Sequence, residues 1–135
     1  LPAAGQAFDS GCFTQHLELT GAWLERARID AGDRRLLDSP LGLAGHRVLG
    51  TLWWAEGAPV APARRQALLD AARDALSAGP LARSAGATAP QPGVVVVRLL
   101  ADGVELAMQA LATVRAAWRQ LAWARAAEPP RIWRT

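Results

Sequence analysis

The sequence predicts an α+β fold that is mainly β-rich and carries two amphipathic helices. Three patterns indicate this class. Residues 94–97 are consecutive valines, which is typical of a strand covered on both faces. Residues 13–20 alternate apolar and polar side chains, as a half-buried strand does. Apolar residues recur at helical spacing in 62–78 and in 103–125, so we expect helices packed on sheets.

The first predicted elements form a β-hairpin. The strand that begins at Phe13 points Leu17 and Leu19 to its apolar side, Gly21 offers a turn, and residues 23–29 can return as the partner strand. The apolar side of this returning strand holds Trp23, Ala27 and Ile29. A helix over residues 22–29 is the competing interpretation.

The middle of the chain predicts a second clear strand. Residues 36–40 indicate a short extended piece ended by proline, and residues 41–45 indicate a glycine-rich turn. The strand follows over residues 47–54, and both of its faces are apolar. One face holds Val48, Leu52 and Trp54, and the other holds Leu49, Thr51 and Trp53. Two apolar faces indicate either a sandwiched strand or a face kept for a partner.

Two helices and an edge segment complete the prediction. Pro62 suits the first turn of a helix over 62–78, which Gly79-Pro80 stops. The apolar stripe of this helix is Leu68, Leu69, Ala72 and Leu76. Residues 82–93 indicate a loop or an irregular edge strand, and the valine strand then leads into the longest helix, over 103–125. The stripe of this last helix is Val104, Ala107, Met108, Leu111, Val114, Trp118 and Leu121.

Composition excludes several classes of function. The formal net charge is +3, and all 15 basic residues are arginines scattered among Asp and Glu. A nucleic-acid-binding protein concentrates its positive charge instead. No window reaches the roughly 18 apolar residues of a membrane span, and the start does not resemble a signal peptide. We therefore expect a soluble, cytoplasmic protein with no nucleic-acid or membrane partner. An Arg- and Trp-rich nucleic-acid-binding or general protein-interaction module is the alternative.

Motifs for catalysis and for a tight metal site are missing from the sequence. It has no P-loop, no Gly-x-Ser-x-Gly and no His-Glu-x-x-His, and Cys12 is its only cysteine. His16 and His46 lie far apart and are weak metal-ligand candidates, and the spacing of Cys12 and His16 is poor for shared ligation. We expect a protein that is not an enzyme and holds no tightly bound cofactor.

Glu25 is the most pointed functional candidate. In the strand interpretation its carboxylate shares a face with Trp23, Ala27 and Ile29. A carboxylate on an apolar face must be paired, hydrated in a channel, or functional. The competing interpretations are an ion pair with Arg26 or Arg28 across a hairpin edge, and a solvated position on a helix.

The closing residues are candidates for a partner surface. Pro129-Pro130 block helix continuation, so Ile132 and Trp133 are large apolar groups at the end of the chain. They are expected either to pack back on the core or to contact a partner. A partner contact is one alternative because Trp and Arg are favoured at interface hot spots. Trp53 and Trp118 are further partner-interface candidates.

Several segments resemble a known protein family. The sequence Leu-Asp-Ser-Pro-Leu-Gly-Leu-Ala-Gly-His-Arg-Val-Leu-Gly-Thr-Leu at 37–52, preceded by Trp-Leu-Glu-Arg-Ala-Arg-Ile-Asp at 23–30, resembles the C-terminal half of the urease accessory protein family UreD, also called UreH. A Pro-x-Gly lead into the valine strand, a long helix carrying Trp, and the closing Pro-Arg-Ile-Trp-Arg-Thr follow in the same order. The resemblance begins at about Ala4, and it departs at Leu99, where the family pattern implies an aromatic residue.

The resemblance implies a fold and a role. Residues 1–135 would be a single domain piece, the C-terminal half of a predominantly β UreD-like protein whose N-terminal half is not in this sequence. Such proteins act as maturation scaffolds that bind apo-urease and the helical accessory protein UreF, which recruits the GTPase UreG to supply nickel. The only metal that the resemblance implies is nickel, which would bind transiently as it passes through a hydrated route. We expect Glu25, with Asp30 and Asp38, to line that route, because weak hydrated carboxylates let a divalent cation pass.

Overall fold

The computed structural model describes residues 7–123, and the chain divides into two compact units. The first unit is Leu1–His46 and the second is Arg47–Thr135. The described part contains five strands in two sheets and three helices, so the predicted α+β class is confirmed. No helix within residues 7–123 is long and apolar enough to cross a membrane.

A β-hairpin opens the first unit. Strands β1 (Cys12–Leu19) and β2 (Trp23–Asp30) pair antiparallel, with Phe13 opposite Ile29. Gly21 has a φ of +73° in the turn, which glycine adopts without steric cost. The predicted hairpin is confirmed. The competing helix over 22–29 is wrong, because side chains along β2 alternate between half-buried and exposed with the period of a strand.

A short helix, α1 (Arg34–Asp38), replaces the extended piece predicted for residues 36–40. The carboxylate of Asp33 caps it by accepting from the N–H of Leu36 at 2.9 Å. An ion pair of 2.7 Å joins Arg34 to Asp38 one turn later. The extended prediction is wrong because Pro40 ends a helix as readily as it ends a strand. The turn predicted for residues 41–45 is confirmed.

A three-stranded antiparallel sheet forms the second unit. Its strands are β3 (Val48–Ala55), β4 (Ala85–Gln91) and β5 (Val94–Ala101), in the order β3-β5-β4. The register of β4 on β5 shifts between Thr88 and Gln91, so β4 is the irregular edge strand that the sequence allowed for 82–93. The central place of β5 explains the valine run, because its four valines are at most 1% exposed.

Helices α2 (Pro62–Ser77) and α3 (Val104–Trp123) also belong to the second unit, and they share its core with the sheet. The predicted stripe of α2 is confirmed, since all four of its residues are buried. Along α3 the inner stripe residues Ala107, Leu111, Val114 and Trp118 are buried. The prediction is wrong at both ends, where Val104 is 60% and Leu121 is 46% exposed. Val104 is the first helical residue, and Leu121 is rotated about 60° away from Trp118.

The face of the sheet that carries Val48, Leu52 and Trp54 supplies the core of the second unit, as the alternation predicts. Leu49, Thr51 and Trp53 lie on the opposite face. Gly50 lies between the core residues of β3, where a Cβ would come within 2.8 Å of the Leu99 Cδ1 atom. Only glycine therefore fits at this position without moving Leu99.

Candidate functional site

The structure places Glu25 on the half-buried face of β2. Trp23, Ala27 and Ile29 share this face, and Leu17 lies directly opposite Glu25 on β1. The indole N–H of Trp23 is buried and has no acceptor within the described residues. A carboxylate and an indole N–H thus lie two residues apart on an otherwise mostly apolar face, which is the placement that the sequence predicts for Glu25.

Asp30 and Asp38 do not form a metal-binding group with Glu25. Asp30 lies on the opposite, exposed face of β2, where its Oδ1 accepts from the N–H of Gly32 at 2.9 Å and its Oδ2 is 3.5 Å from Arg28. Asp38 ends α1 and is ion-paired with Arg34. Within residues 7–123 no group of three or more His, Cys, Asp and Glu side chains is arranged to hold a metal ion.

The two histidines lie in different settings. His16 is on the exposed face of β1, with its Nε2 atom 4.0 Å from the Glu18 carboxylate. His46 ends the loop after α1, where its backbone N–H donates to the carbonyl oxygen of Leu43 at 2.9 Å. Cys12 is exposed on the same strand face as His16. Four residues along a strand separate their Cα atoms by about 13 Å, which prevents ligation of one ion.

The tryptophan candidates differ in exposure. Trp118 is 2% exposed in the core of the second unit, and its indole N–H donates to the carbonyl oxygen of Leu68 at 2.8 Å. This burial leaves little of Trp118 for a partner. Trp53 is half-buried directly opposite Val96, and its buried N–H has no acceptor within the described residues. Ile132 and Trp133 lie outside the described residues.

A polar and aromatic cluster lies at the end of β3, and the sequence analysis does not predict it. The Oε1 atom of Glu56 accepts from the indole N–H of Trp54 at 2.9 Å and from the Arg64 Nε at 3.0 Å. The guanidinium carbon of Arg64 is also 6.0 Å from the centroid of the Trp54 ring. These contacts tie the end of β3 to the first turn of α2. The sequence signal is a Trp-x-Glu spacing followed by arginine in the next helix, and this signal is weak.

The pKa of the Glu56 carboxyl lies below its ordinary value. The hydrogen bond from Trp54 is the largest cause, and the hydrogen bond and positive charge of Arg64 add to it, while burial acts in the opposite direction. The carboxylate is therefore held in its ionised form, which suits a structural clamp rather than a proton donor.

One flank of α3 is uncharged along its whole length. Its residues are spaced four, three, four and four apart, so they follow one line beside the buried stripe. They are Leu106, Ala110, Thr113, Ala117 and Leu121. Leu106 is 40% and Leu121 is 46% exposed, and the three residues between them are small, of which Ala110 packs in part against the core of the second unit. We call this line the α3 flank. Its shape, with a leucine at each end and small residues between, matches what a second helix packs against.

A tight loop over residues 39–46 follows α1. Leu41 in this loop is 99% exposed. The loop is part of the segment that carries the family resemblance. The sequence pattern does not predict that Leu41 is exposed to solvent.

A sequence model of a family described as UreD urease accessory protein matches residues 1–134. The chain belongs to the UreD family. The urease accessory proteins UreD of Variovorax paradoxus and Leptothrix cholodnii are each 53% identical to it over 135 residues, and that of Verminephrobacter eiseniae is 54% identical over 133. These matches cover 98–100% of this chain.

The chain spans about half the length of the curated UreD relatives that it matches, between 48% and 49% of each of these three. The family resemblance found in the sequence is confirmed.

Proposed function

We propose that the protein is a non-enzymatic, cytoplasmic scaffold for urease maturation. In this proposal it binds apo-urease and UreF, and through UreF the GTPase UreG, so that nickel is inserted into the urease active site at the expense of GTP. The UreD family match over residues 1–134 supports the maturation role. The finer assignments to partners and to nickel follow from the family resemblance.

The α3 flank is the observation that carries the scaffold proposal. A helical partner such as UreF needs a complementary apolar line at helical spacing, and the α3 flank offers one with exposed leucines at its two ends. Apolar side chains at such an interface gain free energy by leaving water. The flank carries no charge that this contact would have to desolvate.

Co-purification of the full-length protein with UreF and with apo-urease tests the proposal. We expect the wild-type protein to retain both, and the double variant Leu106→Arg, Leu121→Arg to lose UreF while it stays folded, because both changes put charge on exposed positions. The matched control Ser77→Arg adds charge at an exposed position on α2. If a folded wild-type protein binds neither partner, the scaffold function is excluded. If the double variant retains UreF, the α3 flank is not the contact.

The nickel route is the second part of the proposal. Glu25 is its first candidate, because it lies on the half-buried face of β2, two residues from Trp23. Asp30 and Asp38 are the further candidates, but both occupy exposed positions. We therefore test Glu25 before the two aspartates.

A further inference from the structure

The three-stranded sheet of the second unit has two edges, which are the strands β3 and β4. The strand β4 is irregular, as edge strands commonly are, because it contains Pro90 and its register on β5 shifts between Thr88 and Gln91. The guanidinium of Arg73 also donates to the carbonyl oxygen of Ala87 at 3.3 Å. These features hinder the pairing of a further strand with β4.

The strand β3 has no such protection. It carries no charged residue and no proline, and it keeps one register with β5 over all eight of its residues. A long, regular and uncharged edge strand is a template on which another strand pairs. The edge formed by β3 is therefore the edge of this sheet at which a further strand fits.

The register of β3 on β5 determines which of its backbone groups face this edge. The N–H of Glu56 donates to the carbonyl oxygen of Gly93 at 3.2 Å, so these two residues form a hydrogen-bonded pair that continues the register. Bonded and non-bonded pairs alternate in an antiparallel ladder, so every second residue of β3 directs its N–H and carbonyl groups away from β5. These residues are Leu49, Thr51, Trp53 and Ala55. We call their N–H and carbonyl groups the outward groups of β3, and within residues 7–123 no backbone hydrogen bond reaches them.

The length of the relatives indicates where a further strand comes from. This chain spans 49% of the UreD proteins of Variovorax paradoxus and Leptothrix cholodnii, so a full-length protein of that size has about as many residues outside this chain as within it. The first unit also needs more structure, because its sheet has only two strands and a hairpin alone is marginally stable. Within residues 7–46 only Ala31 is buried. Both units therefore have places that strands of the remaining chain complete.

We propose that a β-strand from the part of the full-length protein outside these 135 residues pairs with the outer edge of β3. The added strand bonds to the outward groups of β3 and makes the sheet four-stranded. The protein's own chain is favoured over a separate partner, because an uncharged edge left open also pairs with other copies of the protein. The remaining chain is also tethered to the sheet, which raises its effective concentration at this edge. The pairing belongs to the fold and does not depend on a role in urease maturation.

Amide hydrogen exchange of the purified full-length protein, resolved to single residues, tests the pairing. We expect the outward amides of β3 to be protected to within about tenfold of the amides of Gly50 and Leu52, which face β5. Light scattering of the same sample establishes that the protein is monomeric. In a monomer without partners, only the protein's own chain supplies the acceptors that protect these amides.

The outward amides of β4 are the matched control within the same protein. The N–H of Leu100 donates to the carbonyl oxygen of Ser84 at 2.8 Å, so by the same alternation the amides of Ala85 and Ala87 face away from β5. They should exchange at least ~100-fold faster than the outward amides of β3, because the β4 edge stays unpaired. Equal protection at the two edges overturns the assignment of the added strand to β3.

Thr51→Pro separates strand pairing from simple burial of the edge. Proline at this position removes one outward N–H and leaves the ladder between β3 and β5 intact. We expect the amides of Leu49 and Trp53 to exchange at least ~10-fold faster in this variant, because the added strand loses a hydrogen bond between them. Thr51→Val keeps the N–H and the size of the side chain, so it should exchange as wild type does. Unchanged exchange in Thr51→Pro overturns the pairing, and the wild-type measurement decides the proposal even if the proline variant does not fold.

The remaining outcomes identify a different occupant of the edge. Fast exchange of the outward amides of β3 in the wild-type monomer shows that the edge is open and overturns the added strand. Protection that is lost when a dimer is diluted to monomer assigns the edge to a second copy. Protection that requires an added partner protein assigns the edge to that partner. Each of these results overturns pairing with the protein's own chain.

Discussion

The indole N–H of Trp118 donates a 2.8 Å hydrogen bond to the carbonyl oxygen of Leu68, 50 residues earlier in the chain. The bond is buried and joins α3 to α2 in the middle of the second unit. The Trp118 ring also meets the Trp54 ring edge-on, with centroids 6.0 Å apart. One side chain thus joins both helices and the sheet, which explains why the largest residue of the α3 stripe is almost fully buried.

Trp118→Phe should destabilise the protein by about 1–3 kcal/mol, because it keeps an aromatic ring but removes the donor to Leu68 and leaves a gap in the core. Urea unfolding of the full-length protein measures this loss. Trp53→Phe is the matched control, since Trp53 is half-buried and its indole N–H has no acceptor within the described residues. Equal effects of the two substitutions would contradict the structural role assigned to Trp118.

Gly42→Ala should destabilise the protein by about 1–3 kcal/mol, because the added Cβ collides with the carbonyl oxygen of Leu36 and the loop must shift. Gly57→Ala is the control, because a Cβ at Gly57 meets no atom within 4 Å. Thermal unfolding of both variants makes the comparison. A Gly42→Ala protein as stable as the Gly57→Ala protein would show that the loop is not held as tightly as its hydrogen bonds indicate.

Glu56 should contribute to the acid sensitivity of folding. The pKa of its carboxyl is lowered below the ordinary value of 4.5, first by the hydrogen bond from Trp54 and then by Arg64. A lowered pKa in the folded state means that the stabilisation is present above the unfolded pKa and is lost as the pH falls through the folded pKa. The melting temperature of wild type should therefore fall more steeply than that of Glu56→Gln below about pH 5.

The control for this titration is Asp9→Asn, which removes an exposed carboxylate that precedes β1. The difference between the Glu56→Gln curve and the curve of this control gives the contribution of Glu56. If Glu56→Gln follows the wild-type curve, the clamp between Trp54 and Arg64 does not depend on the charge of Glu56.

Local periodicity was sufficient to predict most of the fold. The period of two in residues 23–29 identified β2 and placed Glu25 on its half-buried face, and the same period implies that Asp30, five residues later, lies on the opposite face. The helix α1 was missed because it has only five residues and depends on one cap by Asp33 and one ion pair. A helix of that length has too few residues for a stripe to be recognised.

The candidate sites were predicted less well, because they depend on contacts between distant residues. The clamp at Glu56 needs β3 to end beside the first turn of α2, and no local pattern reports that placement. The sequence alone does not distinguish Trp118 from Trp53. The strand register and the helix packing determine that Trp118 is buried and that Trp53 is half-buried. The exposure of Leu41 depends on Gly42 and on carbonyl groups in α1, which a hydropathy pattern does not contain.

Glu25→Gln should lower urease activation and leave partner binding intact, because it keeps the size of the side chain and removes the charge that would attract a passing divalent cation. The change should reduce the nickel content of the matured urease roughly tenfold, the scale of effect seen when a group that supports a metal site is removed. Co-expression with urease and its accessory proteins, followed by metal analysis and urease assay, gives both readouts.

Glu18→Gln is the matched control, since Glu18 lies on the exposed face of β1. Normal nickel content with Glu25→Gln, or an equal loss with Glu18→Gln, would remove Glu25 from the route. Loss of UreF or apo-urease binding with Glu25→Gln would show instead that the residue supports the fold of the hairpin, because a nickel-route residue has no reason to alter complex formation.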